Sequence, residues 1–123
     1  MFFTQKELTA IVKVAFAMAN ADGRVTIEEQ TMIALELVRF DVQQEQLEKI
    51  LKDAGSMTGS EANVIISSMT AQEKKYVTAF LGIIICSDGK IEDSELKMWS
   101  LISLLCDLPT MTLSDAIDIM RNL

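Results

Sequence analysis

Apolar residues recur every three or four positions along most of this chain, which is the spacing of amphipathic α-helices. The first pattern, Leu8 to Met18, follows Thr4 and Glu7, whose spacing is that of a capping box at a helix start. We therefore predict an all-α protein of seven helices. The second helix carries apolar residues around much of its circumference, so it is expected to be central. The later helical patterns cover about 27–40, 43–54, 60–68, 71–86, 93–105 and 112–123.

Residues 4–42 align without a gap to residues 70–108 of the same chain. Self-similarity of this kind marks a structure built from two copies of one unit. We predict two three-helix repeats, about 1–57 and 67–123, joined by a connecting helix at about 58–69. Each repeat is small for independent stability, so the two are expected to share one core about an approximate two-fold axis. The residues identical in both repeats are Thr4, Glu7, Asp22, Gly23, Glu29, Met32, Leu35 and Asp41, and then Thr70, Glu73, Asp88, Gly89, Glu95, Met98, Leu101 and Asp107.

Length and composition place the chain among small single-domain proteins. It has 123 residues, half of them apolar, and a formal net charge of −7. An acidic chain is a poor partner for phosphate backbones, so nucleic-acid binding is not expected. The longest apolar run, Ala79 to Cys86, is too short to span a bilayer, and the first residues lack the pattern of a signal peptide. We expect a cytoplasmic protein without membrane contact, in which Cys86 and Cys106 are buried free thiols.

The chain contains no histidine, which excludes histidine-dependent catalytic triads and histidine-ligated zinc or haem. The glycine-rich patterns of nucleotide-binding proteins are also missing. The Ser and Thr residues have no evident base to activate them as nucleophiles. The sequence therefore predicts a protein that is not an enzyme.

The pattern Asp-Gly-[Arg/Lys]-[Val/Ile]-x-x-x-Glu occurs at 22–29 and again at 88–95. It corresponds to the second half of an EF-hand loop, with Asp at the fifth position and Glu at the twelfth. The first position needs a carboxylate but holds Met18 in one loop and Ile84 in the other. Each loop supplies too few oxygens for a tight Ca²⁺ cage, so a true EF-hand is rejected.

Two interpretations of these acidic loops stay open. If a two-fold axis brings the turns together, their carboxylates form one patch that holds a divalent cation (Mg²⁺, Ca²⁺ or Mn²⁺) weakly, with water completing its shell. Alternatively, Glu29 completes a capping box with Thr26, and acidic residues at helix starts interact favourably with the helix dipole. The candidate metal ligands are Asp22, Glu29, Asp88 and Glu95, and the wider patch includes Glu28, Glu92 and Asp93.

Three further features have structural interpretations. The eight Met residues are expected to fill gaps in a helical core. Trp99 lies among apolar residues and is expected in or near the core, with a surface anchor for a partner as the alternative. Gly23 and Gly89 stand between helical patterns and are expected to have positive φ or to lie where a Cβ would clash.

The repeated Ala/Ser-Asp-Gly-Arg/Lys-Val/Ile-x-x-x-Glu, preceded by an apolar helix and followed by Met-x-x-Leu, resembles the TerB-like family over essentially the whole chain. That family includes the tellurite-resistance protein TerB and the N-terminal region of the membrane-anchored co-chaperone DjlA. The resemblance implies a seven-helix fold with internal two-fold symmetry, a bacterial cytosolic setting and a role in stress or tellurite response. It also implies a divalent-cation site at Asp22, Glu29, Asp88 and Glu95. A J-domain needs a His-Pro-Asp motif, which a chain without histidine cannot supply.

These observations favour a non-enzymatic binding module whose acidic patch engages a divalent cation or the basic surface of a protein partner. A metal-dependent hydrolytic enzyme using the paired carboxylates is one alternative. A purely structural or oligomerising protein is another.

Overall fold

The computed structural model describes residues 3–20, 25–87 and 89–123. Within these residues the chain forms seven α-helices and no β-strand, so the all-α prediction is confirmed. A 3₁₀ turn, Val38–Phe40, follows the second helix directly. The helices are α1 (Gln5–Ala19), α2 (Ile27–Leu37), α3 (Gln44–Ser56), α4 (Gly59–Ser67), α5 (Ala71–Cys86), α6 (Asp93–Leu105) and α7 (Leu113–Arg121).

Capping boxes fix the starts of α1 and α5 at the residues that the sequence predicted. The Glu7 backbone N donates to Thr4 Oγ1 at 3.1 Å, and the Thr4 backbone N donates to Glu7 Oε1 at 2.8 Å. Thr70 and Glu73 make the same reciprocal contacts at 3.1 and 2.9 Å. Each box satisfies backbone amides that the first turn of a helix leaves without partners.

The central helices are α1 and α5, and the prediction that α2 is central is wrong. Nine residues are buried in each of α1 and α5, whereas only Ile33 and Leu37 are buried in α2. Ile27 and Leu35 of α2, and Val38 just beyond it, face solvent. Hydrophobic periodicity shows that a helix has an apolar face, but it does not show which face has a packing partner.

The two halves contact each other reciprocally. In the first half α1 packs against α3, and in the second half α5 packs against α7, while the connecting helix α4 packs against α1. Between the halves, α2 contacts α5 and α6 contacts α1. One hydrophobic core contains buried residues of both halves. This arrangement is what a two-fold relation requires, and superposition of the halves stays a prediction. None of the helices in the described part of the chain is long and apolar enough to cross a membrane.

Two aspartates 66 positions apart share an unusual backbone conformation. Asp41 has φ of 63° and Asp107 has φ of 55°, both in the left-handed region. Each ends the helical segment before it, where a left-handed residue commonly stops a helix. After Asp107, the Leu108 backbone N donates to the Ser103 carbonyl at 2.8 Å and closes α6.

Three helices of the second half meet closely at Gly82 in α5. A Cβ at this position would lie 2.6 Å from the Ala116 Cβ of α7 and 2.9 Å from the Trp99 ring of α6. Trp99 is buried and its Nε1 donates to the Thr78 carbonyl at 3.2 Å. The core interpretation of Trp99 is therefore confirmed, and packing leaves no room for a side chain at Gly82.

Candidate functional site

The first acidic loop leads into α2, where Glu29 has a local structural role. The Thr26 backbone N donates to Glu29 Oε1 at 2.9 Å, and the Glu29 backbone N donates to Thr26 Oγ1 at 3.1 Å. These contacts form the capping box that one interpretation of the sequence predicted. One oxygen of the half-buried Glu29 carboxylate therefore serves the helix start.

The second acidic loop leads into α6, whose start is built differently. Glu92 stands at the N-cap position that Thr26 has in α2, and its side chain makes no capping hydrogen bond. Glu95 corresponds to Glu29 in the repeat and is only 9% exposed. Asp93 and Glu95 lie in the first turn of α6, where the helix dipole favours negative charge. The reciprocal capping box of α2 is thus not repeated in α6.

Both helix starts line one cavity of about 260 Å³. Glu29 reaches it from the first half and Glu95 from the second, so the structure brings these two predicted site residues to the same place. Asp93, which belonged to the predicted patch, is exposed and is not part of the described wall. The described wall consists of Ala19, Thr26, Glu28, Glu29, Met32, Ile84, Ser87, Lys90, Glu92 and Glu95.

The wall of this cavity combines apolar surface with acidic groups. Ala19, Met32 and Ile84 supply the apolar part. Ile84 occupies the position where an EF-hand has its first carboxylate, so the structure also lacks that ligand. The charged side chains of the described wall are four glutamates and one lysine, Lys90. Carboxylates next to low-dielectric surface attract a cation more strongly than they would in bulk water.

The metal assignment made from the sequence stays a prediction. Asp22 and Asp88, two of the four proposed ligands, lie outside the described residues, and so does Gly23. Among residues 3–20, 25–87 and 89–123, no three carboxylate or thiol groups converge as the ligands of a metal ion do. Gly89 has φ of 80°, which confirms the predicted positive φ for the second loop.

Lys90, Met32 and Ser87 were missed as cavity residues. The sequence did hold one signal for the basic residue, because Lys90 corresponds to Arg24 in the repeat and each loop therefore places a cation next to its Asp-Gly pair. Met32 and Ser87 gave no signal, because they reach the cavity from a helix face and a helix end that only the tertiary fold brings together.

The two cysteines are free thiols, as predicted, although only Cys106 is fully buried and Cys86 is half-buried. Burial raises the pKa of the Cys106 thiol above its ordinary value, and the nearby Lys74 ammonium group opposes this effect. Because the thiolate is the reactive form, Cys106 is a poor nucleophile.

A known protein matches the whole of this chain. The crystal structure of PG1108 from Porphyromonas gingivalis W83, a protein of unknown function, superposes with a TM-score of 0.90. The two sequences are 46% identical over 100% of this chain and 99% of the other. This chain belongs to the family of PG1108. No family model matches the chain, and no curated protein matches it. The resemblance to the TerB-like family stays a prediction.

Proposed function

We propose that the protein is a non-enzymatic binding module whose cavity between the starts of α2 and α6 takes a cation. The cation is a divalent metal ion (Mg²⁺, Ca²⁺ or Mn²⁺) or the basic side chain of a protein partner. The observation that supports this proposal is the shared cavity, because Glu29 and Glu95 line it from opposite halves of the molecule. Two copies of one acidic motif thereby contribute to one site.

The wall of the cavity suits each kind of cation in a different way. A metal ion would take carboxylate oxygens from Glu29 and Glu95, with Asp22, Asp88 and water completing its shell. A Lys or Arg side chain would lay its aliphatic stem on Ala19, Met32 and Ile84 while the glutamates receive its charged end.

The TerB-like motif supports a role of this binding module in a bacterial stress or tellurite response. The binding module could then report the presence of its cation or partner without any chemical step of its own. This part of the proposal rests on the sequence motif alone, so it is tested separately by comparing tellurite sensitivity of cells with and without the gene.

Thermal melts and calorimetry test the binding proposal. Mg²⁺, Ca²⁺ and Mn²⁺ chlorides are compared with a chelator, and an oligolysine peptide is titrated in parallel. A ligand specific to the folded state raises the melting temperature by mass action. If a metal ion binds, Asp22→Asn with Asp88→Asn removes the rise, whereas metal-free stability hardly changes because Asn suits the same turns.

The outcomes separate the alternatives. A response to metal supports the metal form of the proposal, and a response to oligolysine alone supports the basic partner. Superimposable melts and silent calorimetry with every probe would refute cation binding at this cavity. Metal-dependent turnover of a phosphate or carboxylic ester that Glu95→Gln abolishes would contradict the non-enzymatic assignment.

A further inference from the structure

The outer face of α6 carries an apolar stripe that faces solvent. Leu101 is 48% exposed, Leu104 is 79% exposed and Leu105 is 58% exposed. Their spacing of three and four positions puts them on one side of the helix. Solvent-exposed leucines scattered singly are common, but three on adjacent turns form a continuous apolar patch.

The residues of α6 that flank this stripe between its two ends are uncharged. No charged residue occurs from Met98 to Cys106, and the neighbouring exposed or half-exposed side chains are the hydroxyls of Ser100 and Ser103. A hydroxyl both donates and accepts hydrogen bonds, so it can face an identical hydroxyl. In a chain with a net charge of −7, two copies repel each other unless they meet through a neutral or oppositely charged surface.

The two ends of the stripe carry opposite charges. Lys97 is exposed one turn before Leu101, and Asp107 follows the end of α6 with its side chain 93% exposed. The Asp107 carboxylate also contacts Lys74 Nζ at 3.2 Å within the chain. An antiparallel copy of the same helix would place Lys97 of each chain near Asp107 of the other, so the stripe complements itself in charge.

A groove lies next to the stripe, on the same side of α6. The groove measures about 560 Å³, and its wall includes Ser100, Ser103, Leu104, Asp107 and Met111. An isologous contact uses the same surface on both copies. Each copy must therefore carry both the protruding leucines and the groove that receives the leucines of the other copy.

We propose that α6 docks antiparallel against α6 of a second copy of this chain, across a two-fold axis. Leu101, Leu104 and Leu105 of both copies form the centre of the contact. Each copy projects leucine side chains into the groove of the other. At each end of the contact, Lys97 of one copy forms an ion pair with Asp107 of the other. A second copy fits this face because the apolar centre avoids like charges and the ends attract each other only in the antiparallel arrangement.

Sedimentation equilibrium over a range of protein concentrations tests the contact. The wild-type chain is expected to show reversible, concentration-dependent dimerisation. Leu101→Ser with Leu104→Ser is expected to give a monomer with an unchanged far-ultraviolet spectrum. The matched control is Leu35→Ser with Val38→Ser, which changes the corresponding exposed positions of the first half and is expected to leave the dimer intact. A wild type that stays monomeric at every concentration, or a control that dissociates as readily, would overturn the proposal.

Charge reversal tests the antiparallel arrangement itself. Lys97→Glu and Asp107→Lys each bring like charges together at both ends, so each is expected to raise the dissociation constant by about tenfold. An equimolar mixture of the two variants restores opposite charges at both ends of a mixed dimer and is expected to regain wild-type affinity. Melting curves first establish that each variant is folded. Failure of the mixture to associate more strongly than either variant alone would overturn the proposal.

Discussion

The two halves of the molecule differ in which position of the sequence repeat carries the largest buried side chain. In the second half the large side chain is Trp99 of α6, and it packs over Gly82 of α5 and near Ala116 of α7. At the equivalent positions of the sequence repeat, the first half has a half-buried phenylalanine in α1 and fully buried isoleucines in α2 and α3. The corresponding residues of the first half are Phe16, Ile33 and Ile50. Gly82 lies inside α5 without ending it, and the absence of a side chain there leaves room for the Trp99 ring and Ala116.

The halves also differ where each acidic loop enters its helix. Thr26 and Glu29 cap α2 reciprocally, whereas Glu92 leaves α6 without a hydroxyl cap and Glu95 is buried at the cavity. Residues at equivalent positions of the repeat thus differ in burial and in their part in helix capping.

The packing at Gly82 gives the strongest test of the core comparison. Gly82→Ala is expected to lower the free energy of unfolding by roughly 1–3 kcal/mol, because its Cβ meets Ala116 and Trp99. Adding Ala116→Gly moves the methyl group from one helix to the other. The double variant is expected to recover only part of the loss, because the contact with the Trp99 ring remains and a glycine inside α7 costs roughly 1 kcal/mol.

Urea unfolding measures these changes, and Gly55→Ala in α3 is the matched control. A Cβ at Gly55 meets nothing within 4 Å, so this variant is expected to gain up to about 1 kcal/mol from helix propensity. If Gly82→Ala were as harmless as Gly55→Ala, the close approach of the three helices would be wrong.

The turn before α6 is the next most sensitive position. Gly89 has φ of 80°, which a β-branched residue adopts only with strain, so Gly89→Val is expected to cost roughly 1–3 kcal/mol. Gly89→Asn should cost less, because Asn tolerates the left-handed region. The repeat predicts the same order for Val and Asn at Gly23. A thermal melt that ranks Val and Asn equally at position 89 would contradict the account of this turn.

The left-handed aspartates allow the two halves to be compared at one position. Asp41→Gly is expected to raise the free energy of unfolding by up to about 1 kcal/mol, because glycine adopts this conformation without steric cost. Asp107→Gly should gain less, because it also removes the contact with Lys74, and exposed ion pairs contribute about 0.2–1 kcal/mol. Chemical denaturation of both variants measures the difference, and a larger gain at 107 than at 41 would reverse the expectation.

The smallest expected effect is a change in pH dependence. Burial raises the pKa of the Cys106 thiol in the folded protein above its ordinary value of 9.0. The unfolded chain therefore loses this proton first, and stability that is present below pH 9 is lost as the pH rises toward the folded pKa. Cys106→Ala should therefore flatten the fall in the free energy of unfolding above pH 9. Equal slopes for wild type and Cys106→Ala would refute this contribution.

Local signals in the sequence predicted most of the helices well. The capping boxes at Thr4 and Thr70 place α1 and α5 correctly, and α6 begins at Asp93, as its acidic first turn indicated. These features depend on neighbours within four residues, which is why sequence alone reveals them. The burial of Trp99 was also predicted correctly, because its neighbours in the sequence are apolar.

Features that depend on distant parts of the chain were harder to predict. The predicted central position of α2 was wrong, because its apolar residues Ile27 and Leu35 face solvent. Hydrophobic periodicity does not show which helix face has a packing partner. The cavity was only partly foreseen. Its glutamates follow from the repeated motif, but Ala19 and Ile84 reach it through the packing of α1 and α5, which no local pattern specifies.

The central claim is that the cavity shared by the two halves binds a cation, and calorimetric titration of three Glu→Gln variants tests it most directly. MnCl₂ and oligolysine are titrated into the wild type, Glu29→Gln, Glu95→Gln and Glu73→Gln. Gln can replace Glu in a capping box, so the starts of α2 and α5 should survive in Glu29→Gln and Glu73→Gln, and melting curves establish that Glu95→Gln is folded. Glu73 caps α5 as Glu29 caps α2, but it does not line the cavity. We predict that the probe that binds the wild type also binds Glu73→Gln and loses its heat in Glu29→Gln and Glu95→Gln. Equal heats in all four proteins, or none in the wild type, would contradict the claim.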